Sequence, residues 1–137
     1  MAKILVVEDD PDILRIMMHT LRAAGHLVIP AYGGEDALRK VKQHQPDLVL
    51  TDLAMPKMTG VEVIQQIKRD ETTKGIPCVA VTAHVWEFLA HSAGDAGCEG
   101  YLAKPFTNRQ LVEFVNKYLH NANAPESTGA KGRSAAS

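Results

Sequence analysis

The sequence predicts an α/β domain built on a doubly wound, five-stranded parallel sheet with helices on both faces. Three observations carry this expectation. Short apolar runs rich in β-branched residues alternate along the chain with longer amphipathic segments. The runs are continuously apolar, as in strands buried on both faces of a parallel sheet. About five strand-then-helix repeats fit within the first 120 residues, and right-handed crossovers between parallel strands lay the helices over both faces.

Residues 3–8 (KILVVE) form the first strand and end on acids. Asp10-Pro11 then offers an N-cap followed by proline at the first helical position, and Ile13, Leu14, Met17, Met18 and Leu21 recur at helical spacing as far as Gly25. The alternation continues with a strand at 26–30, a helix near 35–44, a strand at 47–52, a helix near 60–70 and a strand at 76–82. A less periodic helix near 85–96 precedes a very short strand at 100–103. Thr107 and Gln110 resemble a capping box opening a last helix, along which Leu111, Phe114, Val115, Tyr118 and Leu119 share one face.

Residues 1–120 therefore read as one domain, which a chain of 137 residues with 45% apolar composition can supply with a core. Residues 121–137 contain no large apolar side chain and are expected to be a disordered tail. Fifteen basic and sixteen acidic residues nearly cancel, so no global field favours nucleic acid or an anionic membrane. The start of the chain runs straight into a strand instead of a signal peptide. No apolar stretch nears the roughly 20 residues a bilayer span needs, and Cys78 and Cys98 lie in no metal-ligand spacing. A cytoplasmic protein with reduced thiols is expected.

In doubly wound sheets the reactive site lies outside the carboxyl ends of the strands. Glu8 and Asp9 close the first strand, Asp52 the third and Thr82 the fourth, while Lys104-Pro105 follows the fifth. Convergence of these groups would bring three carboxylates together, and a hard divalent cation relieves their repulsion; Mg²⁺ is the natural candidate. Lys104 can hold a phosphoryl oxygen as a point charge and Thr82 can donate a hydroxyl hydrogen bond, as in phosphoryl transfer without a nucleotide loop. The six histidines are scattered without ligand pairs.

Four segments, ILVVEDD, DLVLTDLAMPKMTG, VAVTA and GYLAKPF, stand in order at successive strand ends. In them the chain resembles the response-regulator receiver domains of two-component signalling, over about residues 3–119. The resemblance implies a flavodoxin-like receiver fold and a stand-alone response regulator. It makes Asp52 the phosphoacceptor and places Mg²⁺ on Asp9, Asp52 and the backbone carbonyl of Ala54, with Glu8 assisting through water. Glu8 stands where many relatives carry aspartate. Thr82 and Lys104 would bind the phosphoryl group, Thr82 and Tyr101 would form the switch, and the Lys104-Pro105 bond would be cis. Ala54 and His84 are candidate rate-tuning positions.

The implied chemistry is transfer from a sensor histidine kinase or histidine phosphotransfer protein to Asp52. The signal would pass to a downstream protein target through the face made by residues 85–96, the fifth strand and the last helix; a homodimer is compatible with this. No DNA-binding or catalytic segment is expected beyond Leu119. An aspartate-nucleophile phosphatase of haloacid-dehalogenase type would need a second aspartate two residues after the nucleophile, where Ala54 stands. Neither GxGxxG nor a Walker loop follows the first strand, against a nucleotide-binding domain. A degenerate receiver acting only as a binding module typically lacks the acceptor or its lysine, and both are here. The expectation is a signalling protein that modifies only itself.

Overall fold

The computed structural model describes residues 2–83 and 96–123. Its elements are β1 (Lys3–Val7), α1 (Pro11–Ala23), β2 (Leu27–Ala31), α2 (Gly34–His44), β3 (Leu48–Thr51), α3 (Gly60–Arg69), β4 (Cys78–Thr82), β5 (Tyr101–Ala103) and α4 (Asn108–Asn123). The expected helix near 85–96 lies outside the described residues except for Ala96, which stands in a turn. The strands form one parallel sheet in the order β2-β1-β3-β4-β5.

Burial follows from that order. The three central strands, β1, β3 and β4, are buried almost throughout, while β2 and β5 at the edges are partly exposed. Only strands covered on both faces can be apolar at every position, and this is what the continuous runs encode. Pro30 sits in the edge strand β2, where its missing N–H costs no second ladder.

Alternate strand residues serve opposite layers. Leu5, Val7, Val49 and Ala80 pack with Ala37 and Val41 of α2 and Val63, Ile64 and Ile67 of α3. Ile4, Val6, Leu48, Leu50, Val79 and Val81 pack with Leu14, Met17 and Leu21 of α1 and with Leu111, Val115 and Leu119 of α4. The doubly wound sandwich is thus observed, with two helices on each face among the described residues.

Local chemistry sets the helix starts. Asp10 accepts from the amides of Asp12 (2.9 Å) and Ile13 (3.4 Å) at the head of α1, and Pro11 follows it. Thr107 and Gln110 do form a reciprocal capping box, at 2.8 and 3.0 Å. A second box, Thr59 with Glu62, opens α3. Differences from the sequence reading are confined to ends: β1 stops at Val7, β4 begins at Cys78 and α4 continues to Asn123. Cys78 and Cys98 are free and buried, and desolvation pushes the Cys78 thiol up to about 12.

Candidate functional site

The parallel register carries β1, β3 and β4 to one edge side by side. The ladder extends one residue past the strands: the Asp52 amide donates to the Val7 carbonyl at 3.1 Å, and the Glu8 amide to the Ala31 carbonyl at 3.1 Å. Glu8 and Asp52 are thereby held as neighbours on backbone, not on flexible loop. Their burial is nearly complete, at 2% and 8% exposure, while Asp9 is exposed. Carboxylate oxygens of Glu8, Asp9 and Asp52 lie within 4.8 Å of one another.

Lys104 enters from the far side of the sheet. Its amide donates to the Thr82 carbonyl at 2.9 Å, which fixes the chain as it leaves β5, and the bond to Pro105 is cis. The ammonium donates to Glu8 Oε1 at 2.6 Å and to Asp52 Oδ2 at 3.2 Å. Thr82 is wholly buried at the end of β4. Tyr101, the first residue of β5, is 37% exposed. The predicted groups Glu8, Asp9, Asp52 and Lys104 are therefore in one cluster, with Thr82 at the adjoining strand end. His84 lies outside the described residues.

The electrostatics is that of buried charge short of counter-charge. Desolvation raises the Glu8 carboxyl above its ordinary 4.5, against the lowering effect of hydrogen bonds from Lys104 and the Asp10 amide. Burial alone would lower the Lys104 ammonium, but its hydrogen bond to Glu8 and the negative fields of Asp52 and Glu8 outweigh this and raise it above 10.5. Among the described residues, one ammonium bridges two of the three clustered carboxylates. The donor set, all carboxylate oxygen with an unbalanced negative charge, fits a hard divalent cation.

Some contacts were not visible in the sequence. Lys104 reaches Glu8 more closely than Asp52, at 2.6 against 3.2 Å. Ala54, expected to contribute its carbonyl, donates its amide to Asp52 Oδ1 at 3.2 Å. Thr51 donates its hydroxyl to the Asp52 carbonyl at 2.9 Å. Gly60, anticipated only as the start of α3, lies so close to the end of β3 that a Cβ there would sit 2.0 Å from the Asp52 carbonyl oxygen. A glycine at a helix start, where the Thr59–Glu62 box already supplies the cap, was the available signal.

Comparison with known proteins agrees with this geometry. The family model for the response regulator receiver domain matches residues 4–116. The polar-differentiation response regulator DivK of Brucella ovis is 32% identical over 119 residues, covering 87% of this chain and 97% of DivK. The structure of chemotaxis protein CheY4 of Vibrio cholerae superposes with a TM-score of 0.81 at 30% identity, over 86% of this chain and 98% of that one. The receiver domain of sensor histidine kinase PA1611 from Pseudomonas aeruginosa, described with a magnesium ion coordinated in its active-site cleft, gives 0.80 at 28% identity, over 86% and 97% of the two chains. Proteins of this kind are signalling modules, not metabolic enzymes. No helix among the described residues is long and apolar enough to cross a membrane. With its fold, its strand-end cluster and its sequence in agreement, the chain belongs to the response regulator receiver domain family.

Proposed function

We propose that this chain receives one phosphoryl group on Asp52 from a phosphohistidine of a sensor kinase or phosphotransfer protein, in a cytoplasmic two-component pathway. The observation that supports this best is the buried pair Glu8 and Asp52 bridged by Lys104 at 2.6 and 3.2 Å, with Asp9 beside them. An oxygen of the Asp52 carboxylate attacks phosphorus in line as the phosphorus–nitrogen bond to the donor histidine breaks. The bonding pair leaves with the imidazole nitrogen, and an acyl phosphate remains on Asp52.

Asp9, Asp52 and the Ala54 carbonyl, with Glu8 assisting, would hold Mg²⁺, which would supply neutralisation of the charge on the transferring oxygens. The chain's own residues do the rest. Asp52 is fixed on the β1 ladder and its carboxylate is oriented by the Ala54 amide. Lys104 holds a phosphoryl oxygen as a point charge, and Thr82 donates its hydroxyl to another. Water later attacks phosphorus and frees Asp52, so the chain catalyses only its own modification and hydrolysis. Ala54, two residues after Asp52 in sequence, and His84, two residues after Thr82, tune the rate of that hydrolysis.

A phosphoryl group adds about two negative charges and three acceptor oxygens at this edge. Thr82 is drawn toward it, and Tyr101, one strand over, turns inward. The surface around β5 and α4 then changes for a downstream protein target.

The test is incubation with acetyl phosphate, with and without Mg²⁺, followed by intact-mass spectrometry. One phosphoryl addition that requires the cation is expected. Addition at the same rate after chelation of divalent cations would overturn the proposal. Beryllofluoride should also shift amide resonances of residues 101–119 in wild type and much less in Thr82→Ala and Tyr101→Ala; unchanged shifts in both variants would remove the switch.

A further inference from the structure

We infer that Thr51 and Gly60 are positioning residues that clamp the peptide following Asp52 and so set the direction of its carboxylate. The inference rests on Asp52 being the reacting group. Thr51 is the last residue of β3, only 1% exposed, and by strand alternation faces the same side as Val49, toward α2 and α3. A valine there would match its shape and favour the strand equally well. Its hydroxyl is spent on one contact, the hydrogen bond of 2.9 Å to the Asp52 carbonyl oxygen.

Gly60 closes on the same oxygen. A Cβ at Gly60 would lie 2.0 Å from the Asp52 carbonyl oxygen, 2.8 Å from its carbonyl carbon and 2.8 Å from Leu53 Cα. All three are backbone atoms, which cannot swing aside as a side chain can. The backbone angle at Gly60 is not of the left-handed kind that demands glycine, so the requirement here is for space. Gly34, which starts α2 in the equivalent way, differs: the atoms nearest a Cβ there would be side-chain atoms of Met58, not backbone. The close approach at Gly60 is locked by its own amide, which donates to the Leu53 carbonyl at 3.0 Å.

The backbone around Asp52 is thus restrained at several points. The Asp52 N–H is tied to β1, its C=O to Thr51 and to the space Gly60 leaves, and the next C=O to the head of α3. The Asp52 carboxylate must keep its place relative to Lys104 Nζ at 3.2 Å and to the oxygens of Glu8 and Asp9. Accommodating a methyl group at residue 60 forces the peptide after Asp52 and the head of α3 apart by about an ångström, and displacements of that size at a reacting group can cost on the order of a hundredfold in rate.

The experiment uses the full chain as wild type, Thr51→Val, Thr51→Ser, Gly60→Ala and, as a control in the opposite core layer, Val115→Ala. Three quantities are measured: the rate of phosphorylation by acetyl phosphate, the Mg²⁺ dissociation constant of the unphosphorylated chain by NMR titration, and hydrogen exchange of the Ala54 amide without added cation. Thr51→Val should slow phosphorylation and weaken Mg²⁺ binding several-fold, and speed Ala54 exchange, at a melting midpoint close to wild type. Thr51→Ser should restore all three, and Gly60→Ala should lose about tenfold or more in rate. Val115→Ala should lower the midpoint and leave the rate and the dissociation constant alone.

Wild-type values of all three in Thr51→Val overturn the clamp, whatever Gly60→Ala does, as would equal losses in Val115→Ala. Failure of the wild type itself to be phosphorylated would defeat the acceptor assignment instead. Mg²⁺ affinity and Ala54 exchange would still decide whether Thr51 and Gly60 hold Asp52 in place.

Discussion

Asp70, just past α3 at the amino side of the sheet, and Glu8, just past β1 at the carboxyl side, are both acids beside a lysine, yet the fold treats them in opposite ways. Asp70 accepts from the Thr72 hydroxyl at 2.7 Å and the Thr72 amide at 2.9 Å, with Lys42 at 3.1 Å. These contacts, led by the Thr72 hydroxyl, lower its carboxyl from 3.8 to about 2. Glu8 shares its single ammonium with Asp52, lies buried beside two other carboxylates, and is raised by desolvation. The difference separates a charge satisfied by its local turn from charge gathered around one shared ammonium. At the amino side a negative charge is satisfied where it stands, by local turn chemistry that any stable fold uses. At the carboxyl side negative charge is concentrated beyond what the protein itself neutralises, which is the condition for recruiting a cation.

Removing the two lysines should break this contrast unequally. Lys104→Met leaves Glu8 and Asp52 buried without their ammonium, so we expect the largest effect here, a loss of about 3 kcal/mol in unfolding free energy at pH 7.5 without divalent cation. Urea titration measures it, and a wild-type midpoint would show that Lys104 does not bridge the two acids in solution.

The pH dependence should differ in sign at the two sites. Glu8 is raised above 4.5, so the folded chain holds that proton more tightly than the unfolded chain. Its ionisation therefore makes stability fall as pH rises from 4.5 through the folded value. Asp70 is lowered, so it contributes stability that is fully present above 3.8 and is lost as pH falls toward 2. Melting midpoints between pH 2 and 7 should show Glu8→Gln without the first decline. Asp70→Asn should differ from wild type at neutral pH and converge with it near pH 2. Parallel curves for all three proteins would erase the distinction. The smallest effect is expected from Lys42→Met, whose side chain is exposed; its midpoint should stay within about 2 degrees of wild type.

The contrast also explains what could be read from the chain. Strands β1, β3 and β4 announce themselves because burial on two faces forces unbroken apolar runs, and Glu8, Asp9, Asp52 and Thr82 stand out because each ends or follows such a run, while Lys104 follows the short edge strand β5. The Thr107–Gln110 cap is written in its spacing. The Thr59–Glu62 box has the same spacing and could have been read the same way. Other features depend on approach between elements distant in sequence. Lys104 and Glu8 are 96 residues apart, so their contact is set only when the sheet is assembled. Thr51 and Gly60 look like an ordinary strand residue and an ordinary helix start until α3 is folded back on β3. The left-handed Gln45 that ends α2 likewise lacks the usual glycine signal.

The central claim is that this carboxyl-end cluster exists to place a phosphoryl group on one side chain. The most direct measurement compares wild type and Asp52→Asn after incubation with acetyl phosphate and Mg²⁺, by intact-mass spectrometry. The substitution keeps the shape and removes the attacking oxygen's charge. A single phosphoryl addition to wild type and none to Asp52→Asn is the predicted result; equal addition to both proteins would contradict it.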